Sequence, residues 1–115
     1  MKAFYKLRPV YRHGADTPWG GQALLEFFGM SIPDDHTGEA LVASTLAGKE
    51  STTADGRTLT ELAGRKLPLL LKLIDAQEAL SVQVHPDDAY AKENENGKLG
   101  KTEAWLILDA KPGAK

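Results

Sequence analysis

Glycine and proline divide this chain into short segments. The sequence has 11 glycines and 6 prolines in 115 residues, and both residue types interrupt helices and strands. We therefore expect short strands joined by turns, with two or three brief helices. Strands that follow one another without a long crossover helix favour an antiparallel sheet, sandwich or barrel over a doubly wound fold.

The helix signals predict only short helices, which is consistent with a mainly β protein. Gly29 follows an apolar run and can adopt the left-handed conformation that ends a helix. Thr58 stands three residues before Glu61, the pattern of a capping box at a helix N-terminus. Helices are expected over 22–28, 59–65 and 86–91.

Strand signals occupy the segments between the turns. Short apolar or alternating runs bounded by glycine, proline and polar residues are typical of strands. Strands are expected over 39–45, 69–75, 80–85 and 101–109. The polar, glycine-containing segments 12–18 and 31–38 are expected to be loops, and Asp55-Gly56 is the expected turn of segment 47–57.

Composition limits the function classes. The 14 Lys+Arg and 16 Asp+Glu give a net charge of -2, so a nucleic-acid binder held by phosphate contacts is disfavoured. The absence of cysteine excludes disulfides, thiolate metal sites and cysteine nucleophiles. No segment approaches the ~18 consecutive apolar residues of a membrane helix. We expect one domain over residues 1–115, with no membrane partner and a cytoplasmic location.

The segment Leu80 to Asp88 contains the first candidate for metal binding. Side chains alternate faces along a strand, so Gln83 and His85 point to the same side. An amide oxygen and an imidazole nitrogen are both metal ligands, and alternate positions direct them toward one point. A solvated strand face carrying Gln and His explains the same pattern, and the spacing leaves both interpretations open.

Glu103 is a third candidate ligand. In the expected strand over 101–109 it shares a face with Lys101 and Trp105. Together with Gln83 and His85 it would complete a nitrogen and oxygen donor set suited to Zn²⁺ or another first-row divalent ion. An exposed ion pair between Lys101 and Glu103 is the alternative, and this also stays open.

The ordered motifs of the chain resemble one known family. The matching segments are Trp19-Gly20-Gly21, Ser31-Ile32-Pro33, Thr37-Gly38-Glu39, 68–75, 81–88, 93–97 and 100–105. Together they are similar to type I mannose-6-phosphate isomerase, in its shorter bacterial form, from about Leu7 to Asp109. The strand Gln-x-His-Pro-Asp-Asp followed by Gly-Lys-x-Glu-x-Trp is the most specific part of the match.

The resemblance implies a partial cupin-like jelly-roll β-barrel and a zinc-dependent aldose–ketose isomerase. Its substrates would be the sugar phosphates mannose 6-phosphate and fructose 6-phosphate. It places metal ligands on Gln83, His85 and Glu103, and Lys101 next to the substrate as a catalytic residue. Trp19 and Glu39 are candidate substrate-binding residues, although a tryptophan after a loop proline is more often a core anchor.

The sequence also departs from the family pattern. A further metal-binding His and an essential Arg of the family lie downstream, and this chain has neither after Glu103. We therefore expect it to be the N-terminal portion of a longer enzyme. The alternative is a non-catalytic cupin-like module that binds a sugar or a metal. A partly built barrel would have exposed sheet edges, through which self-association is expected.

Overall fold

The structure, a computed structural model, describes residues 4–80, 89 and 102–114. The chain divides into two compact units, Met1–Leu80 and Ser81–Lys115. The prediction of one domain over residues 1–115 stays a prediction. Among the described residues, no helix is both long enough and apolar enough to span a lipid bilayer.

The first unit is built on a three-stranded antiparallel sheet. Its strands are β1 (Val10–His13), β2 (Thr37–Ala43) and β3 (Leu71–Ile74), and β2 lies between the other two. The prediction of a mainly β protein with antiparallel strands is confirmed. The sheet is open within the described residues, as expected for part of a barrel.

Strand β1 corrects the prediction of a loop over 12–18. Arg12 lies opposite Glu39 of β2, and Tyr11 lies opposite Ala40. Four residues directly after a proline carry too weak an alternation to identify a strand, and the segment is extended because β2 supplies its hydrogen bonds. The loop prediction holds only beyond His13, where Gly14–Asp16 forms one turn of 3-10 helix.

Strand β2 begins and ends two residues earlier than the predicted 39–45. At its start, the Thr37 amide donates to the Gly21 carbonyl at 3.2 Å. At its end, the Ser44 amide donates to Ser51 Oγ at 2.9 Å instead of to a neighbouring strand. Side-chain hydroxyls that compete for backbone groups commonly end regular structure. The local sequence pattern of the strand identifies neither Gly21 nor Ser51 as a hydrogen-bond partner.

Two short α-helices confirm the local signals. Helix α1 (Ala23–Phe28) ends at Gly29, whose φ of 65° is the left-handed conformation expected for that position. Helix α2 (Leu59–Ala63) starts with the predicted capping box, in which Thr58 and Glu61 exchange hydrogen bonds with each other's backbone amides. It ends at Gly64, short of the predicted residue 65.

The buried part of this unit contains many polar groups. Its fully buried apolar residues are Leu24, Ala40 and Leu41. Its buried polar residues are threonines, serines and two acidic residues: Thr17, Thr37, Glu39, Ser44, Thr45, Ser51, Thr53 and Asp75. Buried polar groups are costly unless they are hydrogen-bonded, so this interior depends on specific partners as well as on apolar contact.

The described part of the second unit differs from its prediction. Residues 102–109, predicted as part of a strand, have no strand conformation, and their side chains are exposed. The alternation of this segment indicates two faces, but a strand also requires a hydrogen-bonded neighbour, which alternation does not specify. The predicted strand over 80–85, apart from Leu80, and the helix over 86–91, apart from Ala89, lie outside the described residues.

Candidate functional site

A buried carboxylate lies at the centre of the three-stranded sheet. Glu39 on β2 accepts a hydrogen bond from Arg12 Nη1 on β1, with 3.1 Å between Nη1 and Oε2. From β3, Lys72 Nζ lies 3.4 Å from both carboxylate oxygens. We call Arg12, Glu39 and Lys72 the sheet-face cluster.

The strand register produces this cluster. Arg12 is directly opposite Glu39, and Lys72 is opposite Leu41, two residues further along β2. Residues opposite each other, or two apart on a strand, share a face of the sheet. All three charged side chains therefore project from the same face, although they are distant in the sequence.

Exposure within the cluster is unequal. The Glu39 side chain is 8% exposed, whereas those of Arg12 and Lys72 are 35% and 24% exposed. Two cations accompany one carboxylate, so the cluster carries one uncompensated positive charge. A solvent molecule or ligand at this face would meet the cations before the carboxylate. The arrangement is suited to attract an anionic group.

Trp19 packs on β2 at the residue that precedes Glu39 in the chain. Its ring packs on Gly38, so that a Cβ at position 38 would lie 2.6 Å from Cζ3. Gly20 also approaches Gly38 so closely that a Cβ at position 20 would lie 2.5 Å from the Gly38 nitrogen. The motifs Trp19-Gly20-Gly21 and Thr37-Gly38-Glu39 are thus in contact, because neither Gly20 nor Gly38 has a side chain to separate them.

Hydrogen bonds of the Thr17 hydroxyl stabilise this contact between the Trp19-Gly20-Gly21 segment and β2. The single hydroxyl proton lies between two acceptors, the carbonyls of His36 at 2.9 Å and Arg12 at 3.1 Å, and the hydroxyl oxygen accepts from the Gly38 amide at 3.1 Å. The half-buried Trp19 ring packs on the Gly38 backbone, a contact that the core-anchor interpretation expects. Its role as a substrate-binding residue stays a prediction, as does that of Glu39.

The predicted metal ligands fall mainly outside the described residues. Gln83 and His85 lie there, as does the predicted catalytic residue Lys101, and of the predicted ligands only Glu103 is described. Its exposed carboxylate accepts a hydrogen bond from Trp105 Nε1 at 2.9 Å. Among residues 4–80, 89 and 102–114, no three His, Asp or Glu side chains are grouped so as to hold a metal ion. The metal site stays a prediction.

Two histidines outside these motifs are exposed and each contacts an aspartate. His13 Nδ1 lies 2.7 Å from Asp34 Oδ2, and His36 Nδ1 lies 2.8 Å from Asp35 Oδ1. The hydrogen bond with His13, helped by the His36 amide, lowers the pKa of the Asp34 carboxyl below its ordinary value. His36 lies in the polar loop in which the sequence placed it, whereas His13 is the last residue of β1.

Sequence reasoning missed Arg12 and Lys72. Arg12 was assigned to a loop, and Lys72 stood inside a run interpreted only as a buried strand. A lysine within an otherwise apolar strand is a usable signal, because a buried cation requires a partner. The identity of that partner depends on the register of three separate strands.

Comparisons with known proteins give the family. The family model described as phosphomannose isomerase type I, catalytic domain, matches residues 39–106. The chain is 44% identical to a putative mannose-6-phosphate isomerase, YvyI, of Bacillus subtilis strain 168, over 95% of this chain and 38% of that protein. It is 40% identical to mannose-6-phosphate isomerase ManA of the same organism, over 94% and 38%.

A solved structure agrees with this assignment. The crystal structure of mannose 6-phosphate isomerase from Bacillus subtilis matches with a TM-score of 0.80 and 44% identity. The match covers 91% of this chain and 37% of that one. The chain spans 38% of the length of the first two of its relatives. On the family match over residues 39–106 and these relatives, the chain belongs to the type I phosphomannose isomerases.

Proposed function

We propose that the natural gene product carrying this chain interconverts mannose 6-phosphate and fructose 6-phosphate. The similarity to mannose-6-phosphate isomerases at 40% and 44% identity, across nearly the whole chain, carries this proposal. The reaction is an aldose–ketose isomerisation, in which a proton moves between two adjacent carbons through an enediol. Its substrate is a sugar phosphate, and its proposed location is the cytoplasm.

The cofactor we propose is a divalent metal, specifically Zn²⁺. Gln83, His85 and Glu103 would hold it, and their amide oxygen, imidazole nitrogen and carboxylate form a donor set that suits this ion. The exposed Glu103 carboxylate is accessible to such an ion. Bound there, the metal would polarise the oxygens on the two sugar carbons between which the proton is transferred.

Lys101 is the residue we propose for the chemical step. Its amino group can donate or accept the proton transferred between the sugar carbons, or supply positive charge to the oxygens of the enediol. Glu39 and Trp19 belong to the substrate side of the proposed site. Glu39 is supported by its place in the sheet-face cluster. Trp19 is proposed only as the aromatic residue of the Trp19-Gly20-Gly21 motif, because its packing on Gly38 by itself favours the core-anchor role.

A coupled assay of the natural gene product tests this proposal. Mannose 6-phosphate is supplied with Zn²⁺, and the fructose 6-phosphate formed is measured. We expect conversion in both directions, and a loss of about 10²-fold or more in kcat for Lys101→Met. The matched control is Lys49→Met, a change at an exposed lysine. Absence of conversion by the unaltered protein would contradict the proposal.

We also propose self-association of this chain. Strands β1 and β3 are the outer strands of the described sheet, and unpaired strand edges can pair with another chain. Light scattering of the purified chain is the measurement. A mass that remains monomeric at every concentration would overturn the proposal.

A further inference from the structure

The balance of charge in the sheet-face cluster depends on Arg12. With Lys72 alone, Glu39 would form a neutral pair. Arg12 makes the shorter contact, 3.1 Å to Oε2, whereas Lys72 lies 3.4 Å from each oxygen. The carboxylate is thus shared between two cations, and the cluster retains one positive charge.

Both cations retain hydrogen-bonding capacity. A guanidinium has five N–H donors, and within the described part of the chain Arg12 uses only Nη1 toward another side chain. The contacts of Lys72 are at the long end of hydrogen-bond distances, so its ammonium is held loosely. Partial exposure of both groups, at 35% and 24%, leaves them accessible from solvent.

We propose that Arg12 is a positioning residue for substrate binding, acting through Glu39. Arg12 shares the single Glu39 carboxylate with Lys72, so the cluster keeps one net positive charge, which attracts the phosphate group of the sugar phosphate. This inference rests on the proposed function for the identity of its ligand. The attraction of an anion by a cationic face is not tied to that reaction.

Kinetics of the natural gene product separate this role from a structural one. Arg12→Gln leaves Glu39 paired with Lys72 alone. We expect KM for mannose 6-phosphate to rise about tenfold, equivalent to ~1.4 kcal/mol, with kcat within about twofold of the unaltered enzyme. Arg12→Lys keeps the charge and restores KM to within about threefold. A purely structural role would lower the melting temperature without this split between KM and kcat.

Arg57→Gln is the matched control. Arg57 also binds a carboxylate, with its Nε 3.1 Å from Asp55 Oδ2, but the pair lies in an exposed turn and is neutral as a whole. We expect an unchanged KM for this variant. The inference is overturned if Arg12→Gln leaves KM unchanged, or if Arg57→Gln raises it equally.

Inorganic phosphate tests the anion site independently of the reaction. It is titrated into the same protein while the side-chain NMR signals of Arg12 and Lys72 are followed. We expect shifts that saturate with phosphate concentration. In Arg12→Gln, followed at Lys72, the dissociation constant for phosphate should be about tenfold higher. If the protein shows these shifts but no isomerisation, the proposed function fails and the cationic site stands. If isomerisation occurs but the shifts are absent, the site fails alone.

Discussion

The ring of Trp19 packs directly on the backbone of Gly38. A Cβ on Gly38 would lie 2.6 Å from Trp19 Cζ3 and 2.6 Å from Thr17 Cβ. A Cβ this close to its neighbours would force the backbone or the Trp19 ring to move. The Gly38 backbone is held in place, because it lies in the central strand and its amide donates a hydrogen bond to the Thr17 hydroxyl. This junction joins the two glycine-containing motifs of the first unit.

We predict that Gly38→Ala destabilises the protein by about 3 kcal/mol or more, through overpacking of a junction that has no room for a methyl group. Urea unfolding measures the loss as a lower midpoint. Gly48→Ala is the control, since a Cβ there meets nothing within 4 Å although φ is 76°. Its cost should be only about 1 kcal/mol, from the positive φ. Equal midpoints for the two variants would contradict the packing argument.

Asp75 connects the end of β3 to the start of α1. Its buried carboxylate accepts from the Ala23 amide at 2.8 Å and from the Gln77 side-chain amide. We predict that Asp75→Ala lowers the free energy of unfolding by about 1–3 kcal/mol, because a helix N-terminal amide loses its acceptor. Faster hydrogen exchange at the Ala23 amide reports the local effect. Asp75→Asn, which keeps an acceptor oxygen, should lose less than Asp75→Ala.

Glu78→Ala serves as the control for Asp75, since Glu78 is exposed in the same segment. Its unfolding midpoint and the exchange rate at Ala23 should be unchanged. A loss in the Glu78 variant equal to that of Asp75→Ala would mean that the carboxylate at position 75 has no specific capping role.

Asp55 makes one part of the stability dependent on pH. The Thr53 hydroxyl and the Arg57 side chain donate to its carboxylate and lower its pKa to about 2. The pKa in the folded state is therefore below the value of ~3.9 in an unfolded chain. The stabilisation is present above about pH 4 and is lost as the pH falls toward about 2.

An NMR titration of the Asp55 carboxyl carbon measures this pKa directly. We predict that Thr53→Val, which removes the hydroxyl donor, moves the pKa upward toward its ordinary value. In Asp55→Asn, the loss of stability relative to the unaltered protein should be visible at pH 6 and should shrink toward pH 2. Titration of the unaltered Asp55 at about pH 4 would refute the assignment.

The proposed metal site is tested by zinc uptake at neutral pH. We predict that the chain binds Zn²⁺ weakly, because Gln83, His85 and Glu103 are here without the further metal-binding His that the family resemblance implies. His85→Ala should abolish this uptake, since a neutral amide and one carboxylate bind zinc poorly without an imidazole. His36→Ala is the control, because His36 is exposed and its Nδ1 contacts Asp35. Equal uptake by the two variants would exclude the proposed ligand set.

Local sequence patterns were sufficient for the two α-helices. The capping box of Thr58 and Glu61 and the left-handed glycine at position 29 act within one helical turn, so the residues that determine these ends are adjacent in the chain. The motifs likewise indicated the family, since residue types and their spacing are properties of the sequence. The comparisons confirm that assignment.

Strand pairing was decided only by the tertiary structure. β1 is a strand because β2 supplies its hydrogen bonds, and the apolar segment over 102–109 has no strand conformation although its alternation predicted one. The contact between Arg12 and Glu39 joins residues 27 positions apart, and that between Glu39 and Lys72 joins residues 33 positions apart. Such contacts follow from the register between strands, which a local pattern does not contain. The sequence by itself therefore determined the family and the helix ends, while the tertiary structure decided which charges meet on the sheet.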